Sequence, residues 1–175
     1  HLVGYTFAKT GEFKKALYYY EKAIKYNPHL FRYKINYAAS LAKSGNCKKA
    51  LKIYKSVLFS KQLAKKWDTD YLFKQIYYCL RKMGNEKKFY SLITSLQYKS
   101  NITDEKLFIP AAAILISDKK HHQAEKLLIY YISTNKKSSN FYKAYLKLAE
   151  NNIIQKKFYK AIAIYNKAIF MFNTD

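Results

Sequence analysis

The sequence predicts an all-α solenoid of antiparallel helix pairs, and three observations carry that prediction. A unit of about 34 residues recurs along the 175-residue chain, apolar residues return within it at helical spacing, and only four glycines and two prolines interrupt it. Half of the residues are hydrophobic, yet no run reaches the roughly 18 apolar residues of a membrane span. A unit this small cannot bury its own apolar face and must stack on a neighbour.

The first two units read Gly11-x-Phe13-x-x-Ala16-x-x-x-Tyr20-x-x-Ala23-x-x-x-x-Pro28 and Gly45-x-Cys47-x-x-Ala50-x-x-x-Tyr54-x-x-Val57. The third runs from Gly84 to Phe89, Ile93 and Leu96, the fourth from Lys119 to Ala124, Leu128 and Tyr131, and the fifth from Lys156 to Ala161, Tyr165 and Ala168. The helix before each turn has its own signature: Gly4-x-x-Phe7, Ala38-x-x-Leu41, Tyr77-x-x-Leu80, Ala112-x-x-Leu115 and Ala149-x-x-Asn152. A small residue there lets two helices approach, and the large one a turn later fills the space beside it. The units fall at about residues 1–30, 31–64, 70–103, 105–138 and 142–175, read as one solenoid domain. An extra stretch from Ser60 to Trp67 predicts a locally irregular stack between the second and third units.

His1 falls inside a helix of the first unit, so we expect a fragment of a longer protein. Ile162, Ile164, Ile169, Phe170 and Phe172 crowd the last helix without a polar outer face. Either more solenoid follows, or this helix meets another subunit by self-association.

These residues resemble the tetratricopeptide repeat family, whose unit is a helix, a tight turn and a second antiparallel helix. The resemblance covers essentially the whole chain and implies a right-handed superhelical solenoid that serves as a protein-binding scaffold. Departures are the absence of the family's usual tryptophan from the units, Tyr77 and Phe89 in place of small residues, and Asn152 in place of an apolar one. In similar repeats the first helix of each unit lines a concave groove. On this chain the matching positions are Tyr5, Lys9, Arg32, Asn36, Lys43, Tyr71, Lys74, Gln75, Tyr78, Arg81, Lys82, Lys106, Lys143 and Lys147. Arginine's fork suits carboxylate or phosphate and tyrosine offers a hydroxyl and a stacking face, so the implied occupant is an acidic peptide or protein segment. The alternative is that the tyrosines fill space between helices while the lysines stay solvated.

Charge points the same way. Thirty-three lysines and arginines face 11 acids, a net charge of +22. Abundant Lys, Asn, Ile, Tyr and Phe fit an AT-rich coding bias, but the scarcity of glutamate does not follow from it. Over residues 1–30, 31–69, 70–104, 105–141 and 142–175 the charge is +3, +9, +3, +3 and +4, so the second unit and its linker dominate. Lys48, Lys49, Lys52 and Lys55, followed by Lys61, Lys65 and Lys66, form a candidate basic patch opposite Ile53 and Val57. Such a patch is either a solvated face or a module for an anionic polymer, nucleic acid or polysaccharide, or for a membrane surface.

Narrower functions are disfavoured. The family's clamp for chaperone tails requires lysine, two asparagines, lysine and arginine, and the corresponding His1, Tyr5, Asn36, Tyr71 and Gln75 keep only Asn36. A base-reading code fails because position five of the units carries Ile35, Ile109 and Leu146. Catalysis lacks a phosphate-cradling loop, a zinc pattern or a nucleophile triad, so no enzyme activity, cofactor or metal is expected. His121, His122 and Glu125 are too few for a metal site. Cys47 and Cys79 are expected to be buried, reduced thiols. Pro110 falls inside a helix capped by Thr103 and favoured by Asp104 and Glu105, and predicts a kink or a delayed helix start. The chain reads as a soluble domain of unassigned compartment.

Overall fold

The computed structural model describes residues 1–60, 69–99, 104–134 and 141–172. Among them are ten α-helices in five pairs: α1 (Leu2–Lys9) with α2 (Phe13–Tyr26), α3 (Phe31–Lys43) with α4 (Cys47–Leu58), α5 (Thr69–Lys82) with α6 (Lys88–Lys99), α7 (Asp104–Ser117) with α8 (His121–Thr134), and α9 (Tyr142–Ile154) with α10 (Phe158–Phe172). The linker on which an irregular stack was expected lies, from Lys61 onward, outside the described residues.

Every pair is closed by the same turn, and its cause is local. In each, the N–H three residues past the helix returns to a carbonyl five residues back: Glu12 to Phe7, Asn46 to Leu41, Asn85 to Leu80, Lys120 to Leu115 and Lys157 to Asn152, at 2.8–2.9 Å. This is the Schellman cap, which requires a left-handed residue at its centre. Gly11, Gly45 and Gly84 supply it with φ of 83°, 92° and 65°. Nothing lies within 4 Å of where a Cβ would stand on any of the three, so backbone conformation alone selects glycine there. Lys119 and Lys156 hold the same conformation at φ 59° and 60° without glycine's freedom.

The chain forms two compact units, one of His1–Ser91 with Lys99–Asn101, the other of Leu92–Tyr98 with Ile102–Asp175. In the first, each of the helices α1 to α4 packs on the next, and α3 also touches α5. Gly4 lets α1 close on α2: an added Cβ would stand 3.2 Å from the Tyr20 ring and 3.3 Å from the Ala16 carbonyl. Ala16, Ala38, Ala50, Tyr20, Tyr54, Phe73 and Ile76 are fully buried in this core. The bulky Tyr77 and Phe89 of the third pair are accommodated edge to face, with centroids 5.0 Å apart.

In the second unit α7, α8, α9 and α10 pack in series, with α7 also touching α9. Leu107, Phe108, Ala111, Ala112, Leu127, Leu128, Ala144 and Ala149 close its core. Here the delayed start expected at Pro110 does not occur. Helix α7 begins at Asp104 and runs through the proline to Ser117. Only the bond to the Lys106 carbonyl is forfeited, and complete burial of Leu107, Phe108, Ala111 and Ala112 around it holds the helix. Thr103, its expected cap, is outside the described residues. Asn152 replaces an apolar residue by returning its amide to the Leu148 carbonyl at 2.9 Å.

Candidate functional site

The first unit contains a cavity of about 470 Å³ lined by Tyr5, Ala8, Lys9, Tyr20, Asn36, Ala39, Ser40, Lys43, Tyr71 and Gln75. Helical spacing explains how the side chains converge. Tyr5 and Lys9 are four apart on α1, Asn36, Ser40 and Lys43 follow at steps of four and three on α3, and Tyr71 and Gln75 are four apart on α5. Six of the residues singled out from the sequence are thus brought to one place. Tyr20 of α2 and Ser40 were missed, because both sit at positions that the repeat pattern reserves for packing.

The cavity sets polar groups among tyrosine rings and alanines, and no carboxylate lines it. Lys9 and Lys43 are its cations, and Lys9 also lies over the Tyr5 ring at 5.4 Å. Burial pushes the Tyr20 hydroxyl up to about 12, with Tyr5 and then Tyr71 adding to the effect. Burial also raises Tyr71, outweighing the opposing pull of Lys9. The phenols therefore remain neutral hydrogen-bond donors at physiological pH. Asn36 Nδ2 lies 3.0 Å from Nε2 of His1, which stacks obliquely on Tyr33.

The remaining groove positions divide by place. Arg32 is exposed one turn before Asn36, outside the cavity. Tyr78 and Lys82 continue the Tyr71–Gln75 face of α5, with Lys82 over the Tyr78 ring at 5.8 Å, while the exposed Lys74 and Arg81 share its flank. In the second unit Lys106 is exposed, but Lys143 and Lys147 are partly neutralised by Glu105 at 2.6 Å and Glu150 at 2.5 Å. Lys143 and Lys147, expected as groove cations, each have a carboxylate of their own.

On α4, Lys48, Lys49 and Lys52 are exposed and Lys55 is half-buried, on the side away from buried Ala50, Tyr54 and Val57. Lys61, Lys65 and Lys66 lie outside the described residues. On α10, Phe158, Ile162, Ile169 and Phe170 are exposed while Ala161 and Ala168 face the core. His121 does not act with His122 and Glu125; it is tied to Asn151 of α9. Cys47 and Cys79 are buried, unlinked thiols. No helix among the described residues is long and apolar enough to cross a membrane.

The fold and cavity define a helical-repeat array of the kind that presents a surface. Residues 1–30 match the family model of the tetratricopeptide repeat, and the five described helix pairs form a helical array of that repeat's fold. No curated protein matches the chain. Among solved structures it is similar to the TPR-like repeats of a putative kinesin light chain from Podosopora anserina, with 11% identity, TM-score 0.50, and coverage of 98% of this chain and 92% of that one. It is also similar to TTC0263, a TPR protein of Thermus thermophilus, with 18% identity, TM-score 0.46, and coverage of 99% and 90%. A third is YrrB, a TPR protein with an unusual peptide-binding site, with 14% identity, TM-score 0.45, and coverage of 96% and 82%.

Proposed function

We propose that the chain is a non-enzymatic scaffold whose first unit holds an acidic segment of a partner protein in the cavity between α1, α3 and α5. The carrying observation is the lining itself: two lysines, three tyrosines, Asn36, Ser40 and Gln75, with no carboxylate among them. An extended acidic chain would place a carboxylate between Lys9 and Lys43 and lay apolar atoms on the tyrosine rings. At about 470 Å³ the space suits one or two side chains rather than a folded surface. The exposed Tyr78, Lys82, Lys74 and Arg81 would extend the contact along α5. Tetratricopeptide repeats are generally scaffolds, in keeping with this role.

The test is titration calorimetry with acidic octapeptides containing Asp or Glu and one aromatic residue, each against its Asn/Gln counterpart at moderate salt. Binding of the acidic peptides alone, weakened at least tenfold by Lys9→Gln with Lys43→Gln, is the expected result. Equal binding of neutral and acidic peptides, or indifference to the double substitution, refutes the proposal.

A further inference from the structure

In the first compact unit one pattern recurs three times: Gly11-x-x-Lys14-Lys15, Gly45-x-x-Lys48-Lys49 and Gly84-x-x-Lys87-Lys88. Each begins at a left-handed glycine that closes one helix, and sets its lysine pair at the start of α2, α4 or α6. The tight turns make paired helices antiparallel. Residues 27–30 turn α2 back into α3, which packs on it, and Cys47 at the start of α4 lies near Cys79 towards the end of α5 while Tyr54, further along α4, lies near Tyr71 at the start of α5, so these neighbours run antiparallel as well. The starts of α2, α4 and α6 therefore lie at one end of the unit, and all six lysines are exposed there.

Helix electrostatics do not account for them. A helix start carries positive partial charge and favours acids over cations, yet α2, α4 and α6 have no acid in the first turn. Lys15 is paired with Glu12 at 2.5 Å. For the other five no carboxylate partner stands among the described residues.

A residue pair that returns at one position three times, against the local field, points to a ligand. We propose that this end of the first unit binds the phosphodiester backbone of nucleic acid, the lysine pairs contacting successive phosphates without reading bases. A row of cations repeated on three helices at one end of the unit suits a linear polyanion. A bilayer would need apolar side chains to insert beside the charge. The six lysines do not line the cavity, so this surface is separate from the peptide site.

The experiment is fluorescence anisotropy of a labelled 20-nucleotide single-stranded RNA and a labelled 20-base-pair DNA duplex, with the whole chain, across 50–200 mM salt. The row variant carries Lys14→Gln, Lys48→Gln, Lys49→Gln, Lys87→Gln and Lys88→Gln. An equal-charge control carries Lys25→Gln, Lys52→Gln, Lys126→Gln, Lys160→Gln and Lys167→Gln, all exposed positions. The row variant is expected to lose at least tenfold in affinity, and its log–log salt slope to become shallower by about 0.7 per lost contact on RNA or 0.9 on duplex. The control should lose less than half as much. Equal losses in the two variants would show diffuse attraction and overturn the proposal. So would failure to bind either oligonucleotide at 50 mM salt, or capture of phosphatidylserine vesicles without either. Circular dichroism checks folding, and Lys48→Gln with Lys49→Gln gives the same comparison at two contacts if the full row variant is unstable.

Discussion

Asn151 of α9 grips His121 at the start of α8 through both ends of its amide. Its Nδ2 donates to the His121 carbonyl at 3.1 Å, which turns Oδ1 toward the imidazole Nδ1 at 2.8 Å and requires Nδ1 to carry the proton. Asn151 is fully buried, so neither bond can be replaced by solvent in the folded state. Asn151→Ala should destabilise the second unit by about 2–3 kcal/mol, because it strands two partners in a dry contact. Urea denaturation of the variant checks this, and a loss under 0.5 kcal/mol would show the clasp to be dispensable.

The turns offer a stabilising change. Lys119 and Lys156 occupy left-handed backbone at φ 59° and 60°, a conformation that costs an L-residue about 1 kcal/mol. Lys119→Gly and Lys156→Gly should each raise stability by about 0.5–1 kcal/mol, the gain being trimmed by glycine's freer unfolded state. Gly45→Ala should lower it by about 1 kcal/mol, with no steric component because its surroundings are open. Thermal melts of the three variants compare the signs directly.

Phe89 stands where other units carry alanine, so Phe89→Ala restores the repeat pattern while removing a fully buried ring that packs edge-on against both Tyr77 and Phe73. Local packing should win over pattern, with a loss of about 3–5 kcal/mol. A double-mutant cycle with Tyr77→Ala should return a coupling of about 0.5–1.5 kcal/mol.

Alkali should unfold the first unit. Burial lifts Tyr20 to about 12; Tyr37 is lifted to about 12 by burial and by its bond to Glu21; Cys79 reaches about 12 through burial and the neighbouring Cys47. In each case the folded state holds its proton more tightly than the unfolded one. The stabilisation is complete below the unfolded values, near 9 for the thiol and 10 for the phenols, and falls as pH rises through the folded values. Denaturation midpoints should therefore decline between about pH 9 and 12. Tyr37→Phe should flatten part of that decline, and an unchanged profile in this variant would remove Tyr37 from the explanation.

Helix positions, the five turns and the small-large signatures before them were legible in the sequence because each is set within a few residues. Periodicity of 3.6 fixes which side chains share a face, and the Schellman cap joins residues only five apart. Even the non-glycine turns were aligned correctly, since Lys119 and Lys156 lie at the spacing that Gly11, Gly45 and Gly84 establish. Of the kink or delayed start that the local rule predicted at Pro110, the delayed start does not occur: α7 begins at Asp104 and runs through the proline, with buried residues on both sides of it.

Tertiary structure decided what locality cannot reach. Glu105 neutralises Lys143 across 38 residues, Asn151 reaches His121 across 30, and Tyr20 borders the cavity only because α1, α3 and α5 close around it. Sequence spacing orders the side chains on one helix, whereas which helices meet, and at what height, follows from packing of the whole unit. The sequence by itself determined a repeating, strongly basic helical array; stacking alone determined which lysines meet carboxylates, which line a cavity and which are left to face solvent.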